Sequence, residues 1–482
     1  MTEVASKLVW GDSSQVPPFW LKPEMLAKLD KVVPRKKGTG NLAHDVVCGL
    51  KEQVEANRNV RLTIDACVHC GACLNACPTY LTTGDIHNSP VGRADLVRRA
   101  LRAETRAGKW FKNLVGAERL TDEGARRMAT YYHQCLECRR CGEICPFGLD
   151  QADVTRAVRS VFYDNGIISR YVGTVIESSE RTGNNLGLPP PAIKTTIEFC
   201  RDEIQEEKGF VPRYKVDEHA YAMLVPPSAD FFLNLETLKG YMTFFYLAGL
   251  DYTFTTEHAE LGNFGLFNDE RHLAKIGDHI VSVARKLDVR LVVAGECGHG
   301  WRAFKQYVIP RLRENGFEAV HVFHLVIDAI KGGKVTLDPS LNGATRYVYQ
   351  DPCNYARAAD LTEEPRFILA HVTRDHQDSP HSRERTWCCG GGAGMLTDEL
   401  MPLRLAYGRL WYDDARSVGG QHIVRPCAIC KAQLNAVLPK FNKETKDKVA
   451  YSGLMDLVYK ALVPPPKPAA PASTPAVAAT PA

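Results

Sequence analysis

The spacing of apolar and polar positions changes character part-way along the chain. From about residue 61 to 205 the pattern is helical. From about 215, short β-rich runs alternate with helical ones. Tyr221–Val225, Leu291–Ala294, Arg346–Gln350 and Gln421–Val424 read as strands, with helices over Leu233–Leu247, Glu270–Leu287, Trp301–Asn315 and Thr397–Ala415. Such alternation implies α/β layers on a largely parallel sheet. It runs twice, with a cysteine-bearing loop near 297 and another near 427, which suggests two similar lobes with divergent sites. Residues 1–60 read as an extended arm and a short helix, because Pro17, Pro18, Pro23, Pro34 and the run Arg35-Lys36-Lys37-Gly38 interrupt any long period. An arm of this kind lies across a neighbouring domain or subunit, or stays disordered. Residues 464–482, PPPKPAAPASTPAVAATPA, have nothing to bury and are predicted disordered. The organisation expected is an arm (1–60), a helical domain (61–205), a two-lobed domain (215–460) and a tail (464–482).

Composition narrows the function. The chain has 482 residues, 45% hydrophobic and 24% charged, which is globular and long enough for several cores. A net charge of +4 from 60 basic and 56 acidic residues is too balanced for a protein built around nucleic-acid phosphates. The longest apolar stretch, near Tyr241–Leu250, is short of the roughly 20 residues that cross a bilayer. The first residues lack the basic-then-apolar order of a signal peptide. A cytosolic protein is expected. Arg98, Arg99, Arg102 and Arg106 recur at near-helical spacing and read as a solvated face, or as a docking patch for an acidic partner or lipid surface.

The 16 cysteines carry the chemistry. In a reducing cytosol, clustered thiols bind metal or do redox work rather than form disulfides. Cys48 and Cys200 stand alone and read as buried thiols. Cys67-x2-Cys70-x2-Cys73-x3-Cys77-Pro78 is followed by Cys135-x2-Cys138-x2-Cys141-x3-Cys145-Pro146. The tight triple loop puts three thiolates around one face of an iron cubane, and in two-cluster ferredoxins the fourth comes from the other motif. Cys67, Cys70, Cys73 and Cys145 should then hold one [4Fe–4S] cluster, and Cys135, Cys138, Cys141 and Cys77 the other. Zinc knuckles show separated C-x2-C pairs, not a repeated quartet with trailing prolines.

A second set is Cys353, Cys388-Cys389-Gly390 and Cys427-x2-Cys430, each at a predicted strand end or in a glycine-rich loop. Ligands collect at the carboxyl ends of strands in open α/β sheets, so these loops can converge. Five converging thiolates call for a metal cluster to neutralise their charge. Gly390–Gly394 lacks the G-x-G-x-x-G order of a nucleotide loop. These glycines are expected to bring backbone close to sulfur and leave one side open for substrate.

Cysteine, gap, CCG, gap, C-x2-C resembles the cysteine-rich "CCG" domain of heterodisulfide reductases. Those proteins carry a paired ferredoxin module upstream and often an S-P-x-G-R segment, matched here by Ser89-Pro90-Val91-Gly92-Arg93. The resemblance spans about residues 60–460. It implies an α+β multidomain fold in which a helical two-[4Fe–4S] ferredoxin module precedes a duplicated α/β CCG domain. It further implies one non-cubane [4Fe–4S] cluster on Cys353, Cys388, Cys389, Cys427 and Cys430. The first lobe departs from the pattern. Glu257-His258-Ala259 stands where its CCG would fall, and Glu296-Cys297-Gly298-His299 replaces its C-x2-C. One complete and one degraded unit is similar to the cytoplasmic subunit of the membrane complex associated with dissimilatory sulfite reductase, and leaves Cys297 and His299 as candidate catalytic groups.

Each cubane passes one electron and a disulfide takes two. No flavin or nicotinamide fingerprint is present in the sequence, so electrons should come from a partner. The resemblance implies a haem-b, DsrM-like membrane subunit linked to quinone, other subunits of a transmembrane redox complex, and a small DsrC-like sulfur carrier bearing a disulfide or trisulfide. It implies a cytoplasmic protein held peripherally on the inner membrane face by those subunits. The alternatives are the iron–sulfur subunit of a glycolate, lactate or glycerol-3-phosphate flavin dehydrogenase, and a relay scaffold without catalysis.

Overall fold

The computed structural model describes residues 12–36 and 38–464; most of the Pro/Ala tail lies outside the described residues. The first half is helical: α1 (Pro23–Val32), α2 (Leu42–Ala56), α3 (Arg58–Ala66), α4 (Pro78–Thr83), α5 (Pro90–Ala103), α6 (Arg106–Trp110), α7 (Asp122–His133), α8 (Arg140–Ile144), α9 (Gln151–Asp164), α10 (Arg170–Thr182) and α11 (Pro190–Lys208). Side-chain oxygens start several of them. Asn57 accepts from the Asn59 and Val60 N–H groups at α3, and Thr121 from Gly124 N–H at α7, satisfying donors that a helix start leaves free. α2, α3, α5, α7 and α9 close on Val46, Leu50, Val60, Ile64, Val97, Met128 and Phe162. Burying each such side chain stabilises the module by roughly 1.5–3 kcal/mol.

The described part of the arm lies across this module. Ser13 donates from its N–H and hydroxyl to Asp85 Oδ2 at 2.8 and 3.0 Å, Gln134 donates to Ser13 O at 2.7 Å, and Phe19 and Leu21 are buried. Two helices follow it where one short helix is expected. Pro23 starts α1 rather than breaking it, because the first helical position needs no N–H.

The second half comprises β1 (Lys215–Val216), β2 (Ala222–Val225), α12 (Leu235–Leu247), β3 (Tyr252–Phe254), α13 (Glu270–Lys286), β4 (Leu291–Ala294), α14 (Gly298–Ala303), α15 (Ile309–Glu314), β5 (Glu318–His321) and α16 (Val322–Lys331). It continues with β6 (Thr336–Leu337), β7 (Tyr347–Tyr349), α17 (Cys353–Ala356), α18 (Glu363–Val372), β8 (His376–Asp378), α19 (Met401–Ser417), β9 (His422–Val424), α20 (Ala428–Thr445), β10 (Ala450–Ser452), α21 (Leu454–Ala461) and β11 (Leu462–Val463). The sheets run β1-β3-β2-β4-β5 and β10-β9-β7-β8, and every pairing within them is parallel. Taking β2, β3, β4 and β5 as counterparts of β7, β8, β9 and β10, the two orders are the same. The expected duplication is therefore present in the topology.

Two helix expectations change. The helix expected over Trp301–Asn315 is α14 and α15 joined by a π-helical turn at Phe304–Val308, since Pro310 lacks the N–H that would continue the α-ladder. α19 begins at Met401 rather than Thr397, with Pro402 in its first turn. α12 and α21 join the lobes. They cross so closely that a Cβ on Gly240 would lie 2.4 Å from the Met455 carbonyl oxygen.

Candidate metal centre

The two triple-cysteine loops share one backbone device. His69 and Gly71 flank Cys70 with φ of 57° and 78°, and Glu137 and Arg139 flank Cys138 with φ of 46° and 61°. Paired left-handed residues curl each loop around its three sulfurs. A left-handed L-residue costs roughly 1–2 kcal/mol, and the second loop is held by ion pairs of Glu137 with Arg159 at 3.2 Å and of Arg139 with Asp150 and Asp153 at 2.5 and 3.3 Å. Cys67, Cys70, Cys73 and Cys145 line one cavity, with Cys141 also on its wall. Cys77 caps α4 and lies beside the other trio. Burial, then the charges of Cys138, Cys77 and Cys135, push the Cys141 thiol well above its ordinary value.

The S-P-x-G-R segment serves this module. Ser89 Oγ accepts from Gly92 N–H at 3.0 Å to start α5. A Cβ on Gly92 would lie 2.0 Å from the Ile86 carbonyl oxygen, so the chain approaches itself only with glycine there. Arg93 is buried and donates to Asn88 O and Oδ1 at 2.7 and 2.8 Å. Burial opposes its charge, but Cys135, Cys77 and Cys141 outweigh that and raise its pKa.

At the carboxyl ends of the second sheet, β7 leads to Cys353, β8 to Cys388 and Cys389, and β9 to Cys427 and Cys430. All five are buried. Their sulfurs form a run that extends to the first lobe. Cys353 and Cys388 are 3.9 Å apart, Cys389 and Cys430 are near enough for their charges to act on the others, and Cys427 lies 4.0 Å from Cys297. Contacts with neighbouring sulfurs hold Cys353, Cys389 and Cys427 below the ordinary thiol value and Cys388 and Cys430 above it. Burial, then Cys427, raises Cys297.

Cys297 is the first-lobe counterpart of Cys427. Each sits three residues beyond its strand (β4 or β9) and caps the next helix, with φ/ψ of −151°/119° and −162°/127°. His299 Nδ1 is 3.3 Å from Cys297 Sγ, and Cys297, His299 and Cys427 each place a ligand atom within 4.8 Å of the others. At the remaining corners the first lobe has Gly300 in register with Cys430, and Ser228 opening the short helix after β2 where Cys353 opens α17. The loop after β3 contributes Glu260, fully buried, which accepts from Ser228 Oγ, Gly262 N–H and, at 3.3 Å, Asn185 N–H. Burial pushes its carboxyl up to about 7. The spacing of the sequence pointed to neither Ser228 nor Glu260, because their roles arise from the superposition of lobes.

Charge tests whether clusters fit. Arg93, Arg140, Arg357 and Arg425 are buried, and among the described residues none has a carboxylate within ion-pair distance. Arg357 donates to the carbonyls of Cys138, Glu384 and Thr386 at 2.5, 2.7 and 3.0 Å. Arg425 donates to Gln350 Oε1 at 3.1 Å and to Trp387 O; burial opposes its charge, and Cys430, Cys389, Cys388 and Cys353 more than offset that. Four buried guanidiniums facing thiols need anionic partners. Thiolate-bound iron–sulfur clusters supply that charge, and an all-sulfur donor set suits iron rather than a hard cation. The residues fit the group.

The lobes are tied directly behind these cysteines. Lys431, next to Cys430, lies 3.4 Å from Glu296, next to Cys297, and 3.8 Å from Asp230, all three buried. Glu296 also accepts from the Leu454 and Met455 N–H groups at 2.8 and 2.7 Å, at the start of α21.

Three expectations are corrected. Cys48 is exposed on α2, 3.7 Å from His44 Nε2, while Cys200 is buried. The arginine face of α5 is not wholly solvated: Arg98 is buried and donates twice to Ile64 O, at 3.0 and 2.7 Å, because α3 packs over it. The glycine loop is packed on two flanks rather than left open along its length. A Cβ on Gly391 would meet Gln433 at 2.8 Å and one on Gly394 would meet Val172 at 2.6 Å, so it is packed between α20 and α10.

Residues 63–149 match a 4Fe-4S dicluster domain and residues 347–435 a cysteine-rich domain of the CCG family. The chain is 33% identical to the Hdr-like menaquinol oxidoreductase iron–sulfur subunit 2 of Archaeoglobus fulgidus, covering 86% of this chain and 82% of that one. It is 34% identical to the corresponding Archaeoglobus profundus protein, covering 87% and 83%. It is 22% identical to one subunit of the dihydromethanophenazine:CoB–CoM heterodisulfide reductase of Methanosarcina barkeri, covering 83% and 94%. Iron–sulfur subunits of oxidoreductases form the class that this fold and these relatives define. The chain belongs to the heterodisulfide-reductase-like family of such subunits, of the DsrK type.

Proposed function

We propose that this subunit carries electrons between a quinone-linked, haem-b (DsrM-like) membrane subunit and the disulfide or trisulfide of a small DsrC-like sulfur carrier in dissimilatory sulfur metabolism. The observation that carries the reading is the order of the thiol sets from surface to interior. Cys70 is exposed in the first quartet and shares its cavity with exposed Val68 and Phe147, apolar groups suited to the membrane subunit. The second quartet is deeper, and Arg357 ties Cys138 to the Thr386 carbonyl beside Cys388. Cys67, Cys70, Cys73 and Cys145 hold one cubane; Cys135, Cys138, Cys141 and Cys77 hold the second. Cys353, Cys388, Cys389, Cys427 and Cys430 hold a non-cubane [4Fe–4S] cluster. When bound, these clusters supply one-electron transfer in steps. Menaquinol in the names of the Archaeoglobus relatives supports the quinone link.

Cys297 and His299 stand at the first-lobe end of this set, where Cys297, Cys427 and the imidazole meet. Disulfide reduction consumes two electrons and two protons and yields two thiols; a trisulfide consumes four of each and yields two thiols and hydrogen sulfide. His299 and Glu260 are placed on either side of Gly262, whose added Cβ would lie 2.6 Å from Glu260 Oε1 and 3.2 Å from His299 Nε2. Attachment to the inner face is through partner subunits; among the described residues no helix is long and apolar enough to cross a membrane.

The test is reduction of trisulfide-loaded carrier by purified protein with dithionite-reduced mediator, read as thiol release. Cys388→Ser, which substitutes a poor iron ligand, should cut turnover at least about a hundredfold, the scale of a lost metal-site group, with both cubane spectra retained. Wild-type turnover in that variant would leave the relay scaffold as the reading.

A further inference from the structure

We propose that Cys297 is itself an iron ligand, so that the C-terminal cluster is held by six thiolates drawn from both lobes. This rests on the reading above that the five-cysteine set holds a cluster. The separation of Cys297 from Cys427, 4.0 Å, matches the 3.9 Å between Cys353 and Cys388 within that set. Cys297 adjoins the five-cysteine set at Cys427 and, among the described residues, is the first-lobe cysteine that does so. Its backbone reproduces that of Cys427, each capping a helix at a strand's end, so the two sulfurs approach one another from related positions. The close approach is built into the neighbouring residue: a Cβ on Gly298 would lie 2.9 Å from Pro352 and 3.7 Å from Cys427 Sγ.

Burial separates a ligand from a free nucleophile. Cys297 has no exposed surface, and its polar neighbours are Cys427 and the 97%-buried His299. His299 Nε2 has no hydrogen-bond partner among the described residues, so the ring is not committed elsewhere and its Nδ1 is directed at the sulfur. A thiol attacking an external disulfide needs a path to solvent; a thiol completing a buried metal shell needs the opposite. The Glu296–Lys431 contact behind it fixes the two lobes at the required separation. The first lobe thus keeps one sulfur where its other corners carry Ser228 and Gly300.

The test uses full-length protein isolated anaerobically with its clusters, grown on 57Fe, as wild type, Cys297→Ser, Cys297→Ala and the control Cys200→Ser. EPR and Mössbauer spectra are the readouts, independent of turnover. Both Cys297 variants should shift the g values and the iron parameters of the C-terminal cluster, or lose its signal, while cubane signals and far-UV circular dichroism stay at wild type. Cys200→Ser should change nothing. Wild-type g values and hyperfine broadening in both Cys297 variants would overturn the proposal. If Cys297→Ser alone misfolds, Cys297→Ala decides: a shifted or lost C-terminal signal supports ligation, and an unshifted signal refutes it. Wild-type protein with only cubane signals would instead sink the underlying cluster assignment.

Discussion

Replacing Lys431 with Met removes the cation from the buried knot that ties the lobes. Its Nζ lies 3.4 Å from Glu296 Oε1 and 3.8 Å from Asp230 Oδ1 and donates to Thr237 Oγ1 at 2.6 Å. With both carboxylates ionised, at about pH 8 and above, the two charge contacts at an effective dielectric near 20 are worth roughly 5 and 4 kcal/mol before desolvation is subtracted. Removing one partner of a buried pair costs about 3–5 kcal/mol net, or roughly 6–20 °C of midpoint for a unit of about 250 residues. The loss should depend on pH. Burial already pushes Glu296 up to about 8 and Asp230 up to about 7, and without the lysine both hold their protons more firmly. Wild type also keeps both protons in the fold up to those values, so the two proteins lose stability in parallel below about pH 7; above it wild type levels off as its carboxyls ionise beside the lysine, while the variant keeps losing about 1.4 kcal/mol per unit for each carboxyl. Thermal unfolding under anaerobic conditions at pH 6, 7 and 8 should show a Lys431→Met deficit that widens with pH. Adding Glu296→Gln should narrow it. The C-terminal EPR signal should be lost before the cubane signals, because Glu296 adjoins Cys297 and Lys431 adjoins Cys430. A deficit under about 1 kcal/mol, or one unchanged between pH 6 and 8, would refute the knot as the tie between lobes.

Iron analysis should give about 12 atoms per chain, from two cubanes and one four-iron cluster; a content near 8 would remove the C-terminal cluster, and near 16 would add one to the first lobe. Gly92→Ala should destabilise the ferredoxin module by roughly 1–3 kcal/mol through overpacking, since its Cβ would meet Ile86 O at 2.0 Å. Cubane absorbance per protein should fall while the C-terminal EPR signal persists, and unchanged absorbance would contradict the packing argument. Burial holds His258 and His272 down to about 4. The unfolded chain then binds more protons than the fold between about pH 4 and 6.5, so stability should drop on acidification from 7 to 5, by about 2 kcal/mol for each ring at pH 5. His258→Asn should flatten the dependence of the unfolding midpoint on pH, and an unaltered slope would exclude that ring.

The nature of the chemistry is local and was therefore legible in the residues. C-x2-C-x2-C loops curl around their own sulfurs with two left-handed residues each, and strand–turn–cysteine segments end where any parallel sheet places its ligands. Hydrophobic periodicity likewise marked four strands of the two sheets to within a residue, because β2, β4, β7 and β9 are central and apolar on both faces. Edge strands β1, β8 and β10 are short and partly polar and carry no such period. The degraded first CCG unit was visible as missing cysteines, but Ser228, Glu260 and Lys431 were not visible as members of a site, since nothing nearby in the chain distinguishes them. Their roles come from contacts across lobes: Lys431 meets Glu296 135 residues away, and Arg357 meets Cys138 219 residues away. Sequence determines which atoms can bind iron, because ligand type and short-range spacing are covalent properties. Tertiary packing alone decides which sulfurs share a centre, how their charge is balanced and how deeply they are shut from water, because those depend on distances that the folded lobes set.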